Sequence, residues 1–371
     1  MEQQKLESKN DKLDPRVLTI VLIVGVMEFE LFTFAKGVIT VAKQDAWISI
    51  LLGGALALLG TYVMVKLASR FPKENFFHYS SRVWGKPFAL LMVLLFLLYW
   101  FIYLVLLYKE TAVVNEFFFL RRTPPLVAIT LFAAVAAWLV LYGLATVIRF
   151  FQIQFVFMIL PLLFIDYLVF TEIDFKNFFP ILSEGFLPVL KGAIIYAGVL
   201  QGLEIILFIF PFLAEPKKAL KPAWLGMGIV ITFSSFVQVV SAIGILGVPH
   251  VLEAVYPGFE VITLVELPGM YAERFEIFLT LPWIVGVFTT ICLFTYLLSY
   301  GVCQVFHFQN KKAVVVIITI LVIAGTSLFP NFAWQVMLRE NLNYATLVFI
   351  YLIPFLTLIL AILREKRGLN E

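Results

Sequence analysis

Ten apolar segments separated by short polar breaks dominate this 371-residue chain. They lie near 17–42, 46–69, 86–112, 124–145, 149–170, 192–213, 222–247, 275–303, 313–329 and 343–363. A helix rises about 1.5 Å per residue, so about 20 apolar residues cross the hydrocarbon core of a bilayer. Backbone in lipid must satisfy its own hydrogen bonds, which leaves helices or closed barrels, and no ten-residue alternating segments point to a barrel. The expectation is an all-α polytopic membrane protein of about ten transmembrane helices. Composition agrees: 62% of residues are hydrophobic and 14% charged, where soluble domains carry about 25% charged residues.

Charge sets the orientation. Residues 1–16 (MEQQKLESKNDKLDPR) are polar, and no short apolar stretch with a small-residue cleavage site follows, so the first segment reads as an uncleaved span. With the N-terminus cytoplasmic, the inner segments include KLASRFPKENFFHYSSRVWGK, AEPKKALKP, HFQNKK and the tail REKRGLNE. About two-thirds of the 27 Lys and Arg then lie inside, as the positive-inside rule expects. The domain reading is a cytoplasmic tail at 1–16, one membrane domain at 17–363 and a basic cytoplasmic tail at 364–371. The two long outer loops, 172–191 and 248–274, are acidic or mixed. Proline and glycine punctuation in the second predicts a short surface helix.

Several function classes drop out. A net charge of +3 gives no reason to expect nucleic acid. Cys292 and Cys303 would stand roughly 16 Å apart on one helix, beyond disulfide reach. His78, His250 and His307 lie on separate segments without metal-ligand spacing. No phosphate-binding loop, nucleophile elbow or zinc-protease motif occurs, and GMG at 226–228 does not extend to a dinucleotide fingerprint. The expectation is a protein with no metal and no cofactor that catalyses no chemistry.

The irregular spans point to function. Residues 196–213, YAGVLQGLEIILFIFPFL, carry Gly198, Gly202 and Glu204 inside an apolar run. The first span carries Gly25 followed by Glu28 and Glu30. A carboxylate at the centre of a membrane helix costs roughly 3 kcal/mol on insertion scales. Interrupted segments at corresponding positions of two five-helix halves mark a transporter-type midplane site, where unwound backbone meets a ligand. This places a five-plus-five inverted repeat with broken helices one and six. Each feature also has a plainer reading. Gly198-x-x-x-Gly202 fits a small-residue packing motif. Glu204 could hold two helices together, and Lys36 could pair with Glu30 or a loop acid. Asp166 lies near the outer end of span five, where solvation is cheap. Tyr99 and Tyr103 share one helix face, a pattern more common in cores than in ligand walls.

Five stretches together resemble the B-subunit family of GerA-type spore germinant receptors. They are DFKNFFPILSEGFLPVLKG with GLEIILFIFPFL, FFFLRRTP at 117–124, KQDAWISILLGG at 43–54, and AERFEIFLTLPWIVGVFTT at 272–290. Their order and spacing run from the first span to the basic tail. The resemblance implies the amino acid–polyamine–organocation superfamily and a LeuT-type fold. It implies residence in the inner membrane of the dormant spore beside a larger A subunit and a lipoprotein C subunit. It also implies binding of a small germinant: an amino acid, sugar or nucleoside. Relatives carry a glycine-rich stretch in span one followed by a Pro–basic pair. Here Glu28 and Glu30 stand where those glycines would be, and Ala35-Lys36 replaces the pair.

The sequence reading is therefore a ligand-sensing subunit of a germinant receptor. Glu28, Glu30, Tyr99, Tyr103, Gln201, Gly202, Glu204, Thr290 and Phe294 would line its site. The expected partners are the A and C subunits, membrane lipids and a small germinant (sugar, amine or amino acid). Two other readings stand beside it. One is a secondary transporter moving an amino acid or amine with protons through Glu28 or Glu204. The other is a scaffold for the A subunit whose pocket the glutamates have closed.

Overall fold

The computed structural model describes residues 12–27, 33–118, 122–264, 277–328 and 332–368. All ten expected segments are helical within those residues. Span one comprises α1 (Val17–Met27) and α2 (Phe34–Ala42). Between them Glu28 and Glu30 lie outside the described residues. α3 (Ala46–Arg70) follows, then a short α4 (Phe76–Trp84), α5 (Lys86–Phe118), α6 (Pro125–Val140) and α7 (Leu144–Thr171). The sixth span is α8 (Leu187–Gly198) and, past a break, α9 (Ile206–Ile209) between two 3₁₀ turns. The seventh joins α10 (Leu220–Ile229) to α11 (Val237–Ser241) through a π segment at Val230–Phe236, and a second, Ala242–Leu246, follows α11. Two short helices, α12 (Gly247–Glu253) and α13 (Pro257–Leu264), precede α14 (Ile277–Phe306) and α15 (Lys311–Thr326). The last span is α16 (Phe332–Leu347) and α17 (Ile353–Leu363), joined by a π turn at 348–352.

Six of these spans are long and apolar enough to cross a membrane alone. The pair Leu187–Gly198 and Leu203–Phe212, bent by 50°, makes a seventh. α1 and α6 are shorter apolar helices. Hydrogen bonds tie both ends of the chain back to one end of the helix bundle. Leu13 N–H donates to the Phe212 carbonyl at 2.9 Å, and Ala214 N–H to the Leu13 carbonyl at 2.8 Å. Gly368 N–H donates to the Arg70 carbonyl at 2.8 Å, and Arg364 Nη1 to the Val83 carbonyl at 2.6 Å.

On that face α4 seals the helix bundle from below. Asn75 caps it through Oδ1, which accepts from His78 N–H at 3.3 Å, as capping asparagines do. Phe76, Phe77, Tyr79 and Val83 are buried. Their spacing of one to four residues makes a single apolar stripe, which packs on Phe96, Trp100 and Phe208.

On the opposite face, polar contacts join α2 and the 3₁₀ turn after it (Lys43–Asp45) to the two long loops. Lys36 Nζ donates to the Ala254 carbonyl at 2.7 Å, a structural partner. Both Asp45 oxygens accept from Leu182 N–H at 3.0 Å, and Lys43 pairs with Glu184. Between the faces, helices approach at small residues, since apolar side chains gain little by leaving lipid for one another. A Cβ on Gly53 of α3 would stand 2.6 Å from the Ala193 carbonyl of α8, so only glycine lets these two helices meet there.

Candidate functional site

The break in span six begins where α8 stops at Gly198. Gly202 follows at φ +103°, a backbone geometry that strains any residue with a Cβ. A Cβ there would also lie 2.8 Å from the Gly25 carbonyl of α1. Gly198 faces elsewhere: its Cβ would meet the Asn343 carbonyl of α16 at 2.6 Å. The two glycines therefore do not form one helix-packing face. Each admits the backbone of a different span, one and ten.

Breaking a helix in an apolar interior leaves carbonyls and amides without partners. Side chains supply them. Tyr351 OH donates to the Ala197 carbonyl at 3.3 Å, and Gln201 Nε2 to the Gly198 carbonyl at 3.0 Å. Glu204, fully buried, works at the other end of the break. Its Oε2 accepts from Gly202 N–H at 3.0 Å and its Oε1 from Trp100 Nε1 at 3.1 Å. The carboxylate thus ties the start of the second half-helix to α5.

Spans three, eight and ten close around this centre. Thr346 Oγ1 donates to the Leu342 carbonyl at 2.8 Å, so its oxygen accepts from Tyr99 OH at 3.2 Å and from Gln201 Nε2 at 3.0 Å. Gln201 Nε2 also lies 2.7 Å from Asn343 Oδ1. The Tyr99 ring stacks on Phe349 at 4.6 Å, and Tyr103 meets Phe294 edge-on at 4.7 Å. Phe294 also borders Trp100, with ring centroids 6.0 Å apart. Thr290 lies one turn before Phe294 on α14 and is fully buried. Gln201 Oε1 at this centre, and Thr290 Oγ1 on α14, are buried and have no hydrogen-bond partner among the described residues. Such groups are rare, because an unmet buried acceptor or hydroxyl costs roughly 1–3 kcal/mol.

A second polar cluster lies about three helical turns further along α5. Glu110 accepts from Gln335 Nε2 at 3.1 Å and stands 3.8 Å from Arg339 Nη1. Arg339 Nη1 also donates to Thr33 Oγ1 at 3.1 Å, immediately after the 28–32 stretch. Tyr256, between α12 and α13, borders this cluster. Burial, and then the Glu110 charge, push its phenol up, while Arg339 pulls the other way.

The sequence therefore placed Tyr99, Tyr103, Gln201, Gly202, Glu204 and Phe294 in one interconnected centre, with Thr290 on the same helix as Phe294. Trp100, Asn343 and Thr346 were missed there, as were Glu110, Gln335 and Arg339 above it. A tryptophan in mid-span was the available signal, since a buried indole N–H needs an acceptor. Asp166 differs from expectation: its Oδ2 is buried and has no hydrogen-bond partner among the described residues.

Two broken half-helices crossed by spans three, eight and ten define a membrane protein of the LeuT transporter fold. Mhp1, a nucleobase-cation-symport-1 family transporter in a closed conformation with bromovinylhydantoin bound, matches at TM-score 0.62 and 15% identity, over 92% of this chain and 78% of that one. A manganese transporter of Eremococcus coleocola matches at TM-score 0.59 and 13% identity, over 94% of this chain and 85% of its own. Within that class, the chain belongs to the family described as spore germination protein, whose profile matches residues 12–331. Spore germination protein YndE of Bacillus subtilis (strain 168) is 28% identical, covering 97% of this chain and 99% of its own. Spore germination protein A2 of the same organism is 28% identical over 91% of this chain and 92% of its own. The resemblance read from the sequence is borne out, and the protein is an integral membrane member of this family.

Proposed function

We propose that this protein is the ligand-sensing subunit of a spore germinant receptor, with its site at the break of span six. The observation that carries this reading is the buried Gln201 Oε1, which has no hydrogen-bond partner among the described residues at a centre otherwise satisfied by its own side chains; Thr290 Oγ1, one turn before Phe294, is likewise without one. Tyr99, Tyr103, Gly202, Glu204 and Phe294 belong to the same centre, and in this reading Glu28 and Glu30 of span one would contribute to the site. The receptor would sit in the spore inner membrane with A and C subunits beside it. Both tails, 1–16 and 364–371, would lie in the cytoplasm, flanking a single membrane domain at 17–363.

The ligand in this reading is rich in hydroxyls or carries an amine. An ionised glutamate about 4 Å from an α-carboxylate repels it by roughly 4 kcal/mol at an effective dielectric near 20, close to a thousandfold in affinity. Glutamates instead accept from sugar hydroxyls or pair with ammonium. Germination assays on spores carrying this subunit, comparing glucose-like and alanine-like germinants, test the assignment. The expected result is a response to the first class, with Glu28→Gly widening recognition towards amino acids. A response to L-alanine, together with a ligand profile that Glu28→Gly leaves untouched, contradicts it. Orientation is tested by cysteine labelling: a Cys at Glu184 should react from outside and one at Lys218 should not.

A second reading, a proton-coupled transporter of an amino acid or amine, is favoured by one observation: the two solved structures described above are transporters. Uptake of the germinant into proteoliposomes supports that reading. Binding without uptake supports the receptor.

A further inference from the structure

A cavity of about 140 Å³ opens at the face carrying the chain ends, between the end of α6, the last turns of α14 and the start of α15. Its polar lining includes Ser299, Tyr296, Tyr300, Lys311 and Lys312, and no acidic side chain lines it. Ser299 is only 4% exposed, and its hydroxyl has no hydrogen-bond partner among the described residues. Two helix N-termini converge on the same space. Gly143, at φ +92°, opens α7 with no side-chain cap and lines the wall. α15 begins with Lys311 and Lys312 themselves, and its Asn310 cap satisfies only the Ala313 amide by side chain. Unmet amides at helix N-termini attract anions, and two lysines add full charges to that field.

The surroundings indicate where the anion comes from. Trp138 and Tyr142, each 60% exposed, meet edge-on at 5.2 Å beside the α6 end of the cavity. Phe306 and Phe308, also exposed, stack at 5.9 Å beside its α14 end. Exposed aromatic residues at a span end mark the level of lipid headgroups, and basic pockets between spans on the cytoplasmic side hold anionic headgroups. One water needs about 10–15 Å³ of such volume, so a phosphate with its first ester carbons fits.

We propose that this cavity binds a phosphate-ester anion, supplied by an anionic phospholipid headgroup of the leaflet at the chain-end face. Ser299 donates to a phosphate oxygen from the wall, and Lys311 and Lys312 close over it. Native mass spectrometry of the purified full-length protein tests this by comparing dioleoyl phosphatidylglycerol, dioleoyl phosphatidylcholine and inorganic phosphate. Wild type should retain the glycerol lipid at least about tenfold better than the choline lipid. Lys311→Ala with Lys312→Ala should lose about tenfold of that retention, and Ser299→Ala about threefold, with melting temperatures recorded to confirm folding. Lys217→Ala with Lys218→Ala, on the same face but away from the cavity, should change nothing. Retention that inorganic phosphate cannot displace assigns the anion to lipid. Displacement by phosphate keeps the anion site but overturns the lipid source. Equal retention of both lipids, or undiminished retention in the folded lysine double variant, overturns the site itself.

Discussion

Two buried glutamates, one at the centre and one about three helical turns further along α5, solve the same problem by different chemistry. Glu204 accepts only from neutral donors, the Gly202 amide and the Trp100 indole, and no cation pairs with it among the described residues. Glu110 instead has a guanidinium, Arg339, and the Gln335 amide. An unmatched charge in low dielectric costs several kcal/mol, and either fixed dipoles or an opposite charge can offset it. The contrast has a functional meaning. Glu110 is neutralised by its own fold and serves to join α5 to α16. Glu204 caps a strained break beside atoms that still lack partners. In the proposed reading it is the acid that an incoming ligand would meet.

The largest effect belongs to the break itself. Gly202→Ala should bring the protein below detection in membranes, because a Cβ is strained at φ +103° and meets the Gly25 carbonyl at 2.8 Å. Gly228→Ala is the control, since nothing lies within 4 Å of a Cβ there. Immunoblots of the two should differ at least about tenfold. Next come the acids. Glu110→Ala and Arg339→Ala should each cost about 3–5 kcal/mol as broken buried pairs. Their double variant should cost clearly less than the sum, read as melting temperature in detergent. Glu204→Ala should cost a similar amount, but no removal of a cation should restore it. Rescue of Glu204→Ala by such a second change would erase the contrast.

Smaller effects sharpen it. Glu204→Gln keeps one acceptor of two and should cost about 1–2 kcal/mol, with near-normal abundance but a weakened germinant response. Smallest is the exposed Lys43–Glu184 pair, whose side chains are 44% and 46% accessible. Removing Lys43 should change the melting temperature by less than a degree or two, as surface pairs contribute at most about 1 kcal/mol.

These differences also explain what could be read in advance. The centre at span six was legible because glycine and glutamate stand out inside an apolar run. The ten-segment count was legible for the same reason, long apolar stretches between charged breaks. The Glu110–Arg339 cluster was not. Lys109 and Glu110 fell inside the expected span at 86–112 without standing out, and the polar run around Arg339 to Tyr344 resembles loop residues, so span ten was expected from 343 when its helix begins at Phe332. Their burial depends on a partner span more than 200 residues away, which periodicity within one segment does not register. α4 was hidden for a related reason. Its polar face, Ser81 and Arg82, made the segment look like a basic inner loop, although Phe76, Phe77, Tyr79 and Val83 already carried a helical stripe.

The central claim is that the polar centre at the break of span six reads the germinant. Tyr99→Phe isolates it, because the change removes only the hydroxyl bonded to Thr346 and leaves the ring on Phe349. The decisive measurement is the germinant concentration giving half-maximal germination of spores carrying Tyr99→Phe, with protein abundance quantified in the same spores. The account predicts unchanged abundance and a concentration raised at least about fivefold. Unchanged abundance with an unchanged half-maximal concentration, for Tyr99→Phe and Glu204→Gln alike, would contradict it.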